Sequence, residues 1–102
     1  MDVTSKPLNR AQARKLISRI LAQGMVGFAD PHLYDAAADD GMTTVDVVNV
    51  LRGGQITEEA EWEGGAWRYR VHTPKFCVVI EFLSEEQLVA VTTWRKKERG
   101  KR

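Results

Sequence analysis

The sequence predicts an α+β domain in which N-terminal helices pack on one face of a four-stranded antiparallel meander sheet. Apolar residues recur at helical spacing in the first half of the chain and at every second position from Gln55 onward. Short turn signals separate the later segments, which favours an antiparallel meander. At 102 residues, the chain is the size of one domain. We expect this domain to span residues 1–94, followed by a basic tail over residues 95–102.

The first predicted helix follows Asn9. Asn9 and Gln12 have the spacing of a capping box, in which each side chain binds the other residue's backbone N–H. Gly24 suits the position just past the helix end. The apolar residues at helical spacing are Ala13, Leu16, Ile17, Ile20 and Leu21.

The second predicted helix is short. Residues 25–28 form an apolar connector, after which Asp30 is a favourable N-cap and Pro31 a favourable first helical residue. The alanine-rich segment that follows ends at Gly41.

A third helix is predicted after Thr43. Asp46 lies at its third position, where a carboxylate can accept backbone amide hydrogen bonds. The helix ends at the pair Gly53-Gly54. The residues expected to face inward are Val47, Val50 and Leu51.

The second half of the chain alternates in the manner of β-strands. Predicted strands cover residues 55–62, 66–72, 76–83 and 88–94. Glu63-Gly64-Gly65 is a hairpin turn signal between the first two. The third is mostly apolar and therefore central. The single cysteine, Cys77, lies within it and is expected to be a buried apolar residue.

Charge is distributed unevenly along the chain. From Trp94 to the end there are six basic residues against one acidic residue, whereas residues 30–65 carry nine acidic residues against one basic. A basic terminus of this kind favours a polyanionic partner, and a solubilising tail is the alternative. The polar start and the lack of long apolar runs predict a cytoplasmic protein that does not enter membranes.

One predicted strand presents a basic face. Arg68, Arg70 and His72 alternate with bulky apolar residues and would therefore share one side of the sheet. They could bind phosphate and stabilise charge that develops on it. The alternative is that they pair with carboxylates across strands. The carboxylates in question are those of Glu58, Glu61 and Glu81.

Two histidines are candidates for proton transfer, because this side chain takes up and releases protons near neutral pH. His72 ends the basic strand, and His32 lies in the first turn of the second helix. The alternatives are a polar strand end and an exposed or capping histidine, respectively. Trp94, beside the basic tail, could stack an unpaired base. Trp67 and Tyr69 are expected in the core.

Several features together resemble the bacterial and phage domains related to the RelE/ParE toxin superfamily. They are a histidine early in the chain, the helix motif Asp46-Val47-Val48-Asn49-Val50-Leu51-Arg52-Gly53-Gly54, and a last strand ending in Thr93-Trp94 before basic residues. The resemblance covers roughly residues 8–97. The layout is also similar to that of the MqsR-like toxins, which cleave mRNA.

The resemblance implies a metal-independent mRNA endoribonuclease without a cofactor, in which a 2′-hydroxyl attacks the adjacent phosphate. It implies RNA and an antitoxin as partners. Arg68 and Arg95 match polar site residues of the MqsR-like toxins, so the catalytic candidates are His72, His32, Arg68 and Arg95. The RNA-binding candidates are Arg70, Lys75, Trp94, Lys96, Lys97 and Arg99.

The sequence departs from that pattern at two positions. A tyrosine expected on the third strand is replaced by Phe76 or Cys77, and a lysine expected on the first strand has only Gln55 or Thr57 as counterparts. The alternative function is a non-catalytic protein-interaction module of the same fold, either a ParE-like module or a phage accessory protein. Its interaction surface would be the acidic segment, residues 30–65.

Overall fold

A computed structural model describes residues 2–97 and contains three helices and one five-stranded mixed sheet. The helices are α1 (Arg10–Gln23), α2 (His32–Asp39) and α3 (Thr44–Gly53). The strands are β1 (Met25–Phe28), β2 (Glu61–Glu63), β3 (Ala66–His72), β4 (Phe76–Ser84) and β5 (Gln87–Arg95). The α+β class is therefore confirmed.

The sheet differs from the predicted meander by one strand. Its order is β1-β5-β4-β3-β2, and β1 runs parallel to β5 while the other pairs are antiparallel. Residues 25–28, predicted as a connector, form β1, since Met25 N–H donates to the Glu86 carbonyl and Ala29 N–H to that of Ala90. The expectation of a four-stranded, purely antiparallel sheet is wrong.

The first predicted strand is also much shorter than expected. Only Glu61–Glu63 is a strand, and it pairs with β3 at the edge of the sheet. Gln55 forms an isolated bridge with His72. Arg10 from α1 donates to the Thr57 carbonyl and Arg14 to the Gly54 carbonyl, so side chains of α1 hold the backbone on either side of the single bridge to β3.

Local sequence signals locate the helix ends. The predicted capping box of Asn9 with Gln12 is present at α1, and at α3 Asp46 accepts amide hydrogen bonds as predicted and forms a second capping box with Thr43. The second helix starts later than predicted, because Pro31 rather than Asp30 is the N-cap residue and no side chain caps this end. The Leu33 N–H instead donates to the Ala29 carbonyl at 2.7 Å.

The core lies between the helices and one face of the sheet. A single apolar cluster contains buried residues from all three helices and from β3, β4 and β5. The largest fully buried side chains include Ile17, Leu33, Leu51, Tyr69 and Ile80. Within residues 2–97, no helix combines the length and the apolar character needed to cross a bilayer.

Candidate nucleic-acid interface

Strand β3 divides its side chains between two environments, as predicted. Tyr69 and Val71 are buried in the core cluster. Arg68, Arg70 and His72 alternate with them and lie on the other side of the sheet, which we call the open face.

The arginines of the open face are paired with carboxylates. Arg68 Nε donates to Glu81 Oε2 on β4 at 2.8 Å, and its Nη1 lies 3.7 Å from Glu63 Oε2 on β2. Arg70 Nη2 lies 3.4 Å from Glu61 Oε1. Cross-strand pairing was one of the two interpretations of these residues, and it holds for both. The guanidinium groups are therefore partly neutralised.

His72 is held by a carboxylate from the segment before β2. Its Nε2 lies 2.7 Å from Glu58 Oε1. Its Nδ1 is buried and has no hydrogen-bond partner within residues 2–97. Only 18% of the side chain is exposed. Nδ1 is thus shielded from solvent, and Nε2 is occupied by the Glu58 carboxylate.

An aromatic side chain on β5 joins the same surface. Trp94 and His72 both lie opposite Cys77, on the two strands that flank β4. The Arg70 guanidinium carbon lies 5.6 Å from the centroid of the Trp94 ring, which is a cation–π distance. Trp94 is half-buried, so part of its ring stays accessible.

A surface cavity of about 320 Å³ borders His72. Lys96 lines it, and the Lys96 ammonium donates to the Thr73 carbonyl at 3.1 Å. Gln55 and Thr57 also line it. The cavity therefore brings a cation, a histidine and neutral polar groups within one opening.

Cys77 lies beneath this surface and is fully buried. Burial raises the pKa of the thiol to about 11, Arg70 and Lys96 oppose the increase, and Glu58 adds to it. The prediction of a buried apolar cysteine is confirmed.

Arg95 lies apart from the open-face residues. It follows Trp94 on the strand and therefore points to the other side of the sheet. Its guanidinium carbon lies 4.9 Å from the centroid of the Phe76 ring. Its backbone N–H donates to Asp40 Oδ2 at 2.6 Å, and its Nε donates to the Asp40 carbonyl. The structure does not bring Arg95 together with Arg68 and His72.

The remaining predicted residues are more dispersed. His32 is the exposed first residue of α2, and within residues 2–97 its side chain makes no hydrogen bond or ion pair. Lys75 is exposed in the β3–β4 turn, and Lys97 is exposed after β5. Arg99 lies outside the described residues.

The acidic segment is largely occupied by contacts within the chain. Glu58, Glu61 and Glu63 contact the open face, and Glu59 lies 3.6 Å from Arg10 on α1. Asp46 caps α3. These contacts leave fewer carboxylates for a partner than the sequence suggests.

Glu58 is the residue whose place in the site the sequence did not predict. It was one of three acids considered as a partner for the basic strand, and no pattern distinguished it as the contact of His72. Its position follows from the irregular path of residues 55–60. Among the described residues, no group of three histidine, cysteine or acidic side chains is arranged to hold a metal ion.

Comparisons of the chain with protein-family models, with curated proteins and with solved structures find no match.

Proposed function

We propose that this protein binds single-stranded RNA on its open face and cleaves it as a metal-independent endoribonuclease of a toxin–antitoxin system. The observation that supports this proposal best is that His72 and Lys96 line one surface cavity, while Arg70 and Trp94 lie on the same face of the sheet as His72 and are in cation–π contact with each other. The proposed RNA contacts are to phosphate through the two cations and to an unpaired base through the indole ring.

The proposed reaction is a transesterification within the RNA. The 2′-oxygen forms a bond to the adjacent phosphorus while the bond from phosphorus to the 5′-oxygen of the next nucleotide breaks. His72 takes the proton of the 2′-hydroxyl, and the departing 5′-oxygen takes a proton from water or from the Lys96 ammonium. The products are a 2′,3′-cyclic phosphate and a 5′-hydroxyl, so no further reactant is needed.

Arg70 and Lys96 have the charge to stabilise the phosphorane-like transition state, because its non-bridging oxygens gain negative charge as the new bond forms. Arg68 is a less direct contributor, since Glu81 holds its Nε within the sheet. Arg95 has a peripheral role in this proposal because it lies on the opposite side of β5.

The proposal is tested with purified protein, a mixed RNA pool and an excess of chelator. We expect cleavage products that end in a 2′,3′-cyclic phosphate, and we expect His72→Asn to slow cleavage at least a hundredfold, in the range that proton-transfer groups contribute. The matched control is His32→Asn, which changes the other histidine and should retain activity. Thermal melting confirms that both variants fold. An unchanged rate in His72→Asn would refute the assignment.

One observation favours the alternative, a non-catalytic module that binds a protein. Met25 is 67% exposed, Leu83 48% and Trp62 58%, which places large apolar side chains at several points on the surface. Expression of the chain alone separates the two functions. A ribonuclease toxin should arrest growth and His72→Asn should relieve the arrest, whereas an interaction module should behave alike with either residue.

A further inference from the structure

We infer that residues 58–63 are an internal polyanion that occupies Arg70 and His72 of the proposed RNA site in the resting protein, and that RNA must displace this segment to reach them. We call residues 58–63 the acidic strap. The inference rests on the proposed function and adds a mode of regulation to the same site.

The acidic strap contacts the open face through three carboxylates. Glu58 contacts His72 at 2.7 Å, Glu61 contacts Arg70 at 3.4 Å, and Glu63 approaches Arg68 at 3.7 Å. Glu61 and Glu63 alternate along one strand, so their side chains emerge on the same side, about 7 Å apart along the backbone. The strap thus presents negative charges to Arg68, Arg70 and His72 on the open face.

The contact with Glu58 also prevents His72 from acting on RNA. A proton can be taken up at Nδ1 or at Nε2. Nδ1 is buried and has no hydrogen-bond partner among the described residues, and Nε2 is already bonded to Glu58. A substrate hydroxyl can therefore reach this imidazole only after the Glu58 carboxylate moves away.

The acidic strap lies at an exposed edge of the sheet. Strand β2 has three residues, all of them exposed, and forms the edge of the sheet by pairing with β3 alone. The glutamates of the three pairs are 45% to 63% exposed. The Arg70–Glu61 pair, with side chains 41% and 61% exposed, is of the exposed kind that adds little stability and is screened by salt, so a polyanion can compete with it.

The pair between Arg68 and Glu81 has a different character. Both side chains are mostly buried, at 23% and 18% exposed, and they join two strands inside the sheet. We expect this pair to remain intact when RNA binds. Displacement of the acidic strap would then free mainly Arg70 and His72.

The experiment measures binding of a fluorescein-labelled oligouridine by anisotropy to the full chain. The test variant is Glu58→Gln/Glu61→Gln, which keeps side-chain size and removes the two charges opposite His72 and Arg70. The control is Asp35→Asn/Glu86→Gln, which removes two exposed charges that take part in no ion pair within the described residues. Both double variants change the net charge equally.

We expect the test variant to bind the oligouridine at least tenfold more tightly than the unmodified chain, and the control to bind less than threefold more tightly. Equal tightening in the two variants would mean that net charge alone matters and would overturn the inference. Binding by the unmodified chain with no gain in the test variant would overturn the inference and leave the proposed function intact. If no form binds RNA, the proposed function fails and the inference fails with it.

Discussion

At the scale of single residues, Tyr69 connects the start of the chain to the middle of the sheet. Its hydroxyl accepts a hydrogen bond from the Leu8 N–H at 2.8 Å, across 61 positions of sequence. Its ring packs edge-on against Phe82, with ring centroids 5.1 Å apart. Burial raises the pKa of this tyrosine, and the Leu8 hydrogen bond partly opposes the increase.

Replacing Tyr69 with phenylalanine tests this connection. We expect Tyr69→Phe to lower the free energy of unfolding by about 1–3 kcal/mol, because a buried backbone N–H loses its acceptor. The measurement is urea denaturation followed by circular dichroism. The control is Tyr34→Phe, where the ring is 45% exposed and we expect a change of less than about 0.5 kcal/mol. Similar losses in both variants would contradict the assigned role.

At the scale of secondary-structure elements, Arg14 joins α1 to the end of α3. Its Nη1 donates to the Gly54 carbonyl at 2.7 Å, and its Nη2 donates to the Leu51 carbonyl. These carbonyls belong to the last turn of α3 and to its C-cap, where backbone acceptors need partners and a cation is favourable. Burial lowers the pKa of Arg14, and arginine nevertheless keeps its charge at neutral pH.

We expect Arg14→Met to lower the free energy of unfolding by about 1.5–3 kcal/mol, because charged hydrogen bonds to the end of α3 are lost. Arg19→Met is the matched control on the same helix. Arg19 lies 3.6 Å from Glu85 and is 53% exposed, so its loss should cost less than about 1 kcal/mol. Chemical denaturation of both variants gives the comparison. A larger loss in Arg19→Met would show that Arg14 does not fasten the two helices.

The elements that could be predicted are those whose ends depend on nearby residues. The capping boxes at Asn9 and Thr43 involve side chains three positions apart, so they can be read from the sequence. Strand β1 could not be predicted, because its four residues are strands only through pairing with β5, about 60 positions later. Residues 55–60 alternate like a strand, but within this segment Gln55 alone bridges to β3, at His72, and Arg10 binds the Thr57 carbonyl.

At the scale of the whole molecule, the sequence predicts which residues share a face and not which charges meet there. Alternation on β3 places Arg68, Arg70 and His72 together because the period of a strand is fixed. Their pairing with Glu58, Glu61 and Glu63 depends on where the chain returns after α3. The surface is for this reason less positive than the composition of β3 alone suggests.

A buried thiol and a buried phenol make the free energy of unfolding of the whole fold sensitive to alkaline pH. Cys77 and Tyr69 are both enclosed, and burial raises the pKa of each above its ordinary value. Below about pH 9 both groups hold their protons in the folded and the unfolded chain. Above that pH the unfolded chain releases them first, so the folded chain binds more protons and its free energy of unfolding falls.

We expect the contribution of Cys77 to the free energy of unfolding to decline from about pH 9 to about pH 11. This is the interval between the ordinary pKa of a thiol and the raised pKa of Cys77. The loss over this interval is of the order of 1–2 kcal/mol. Cys77→Ala should make the free energy of unfolding fall less steeply with pH above pH 9 and should leave its pH dependence below pH 8 unchanged. Tyr69→Phe should make the fall less steep at higher pH. Urea denaturation from pH 7 to pH 11 measures these slopes, with Tyr34→Phe as the control. A Cys77→Ala slope equal to that of the unmodified chain would show that the thiol is not protected by the fold.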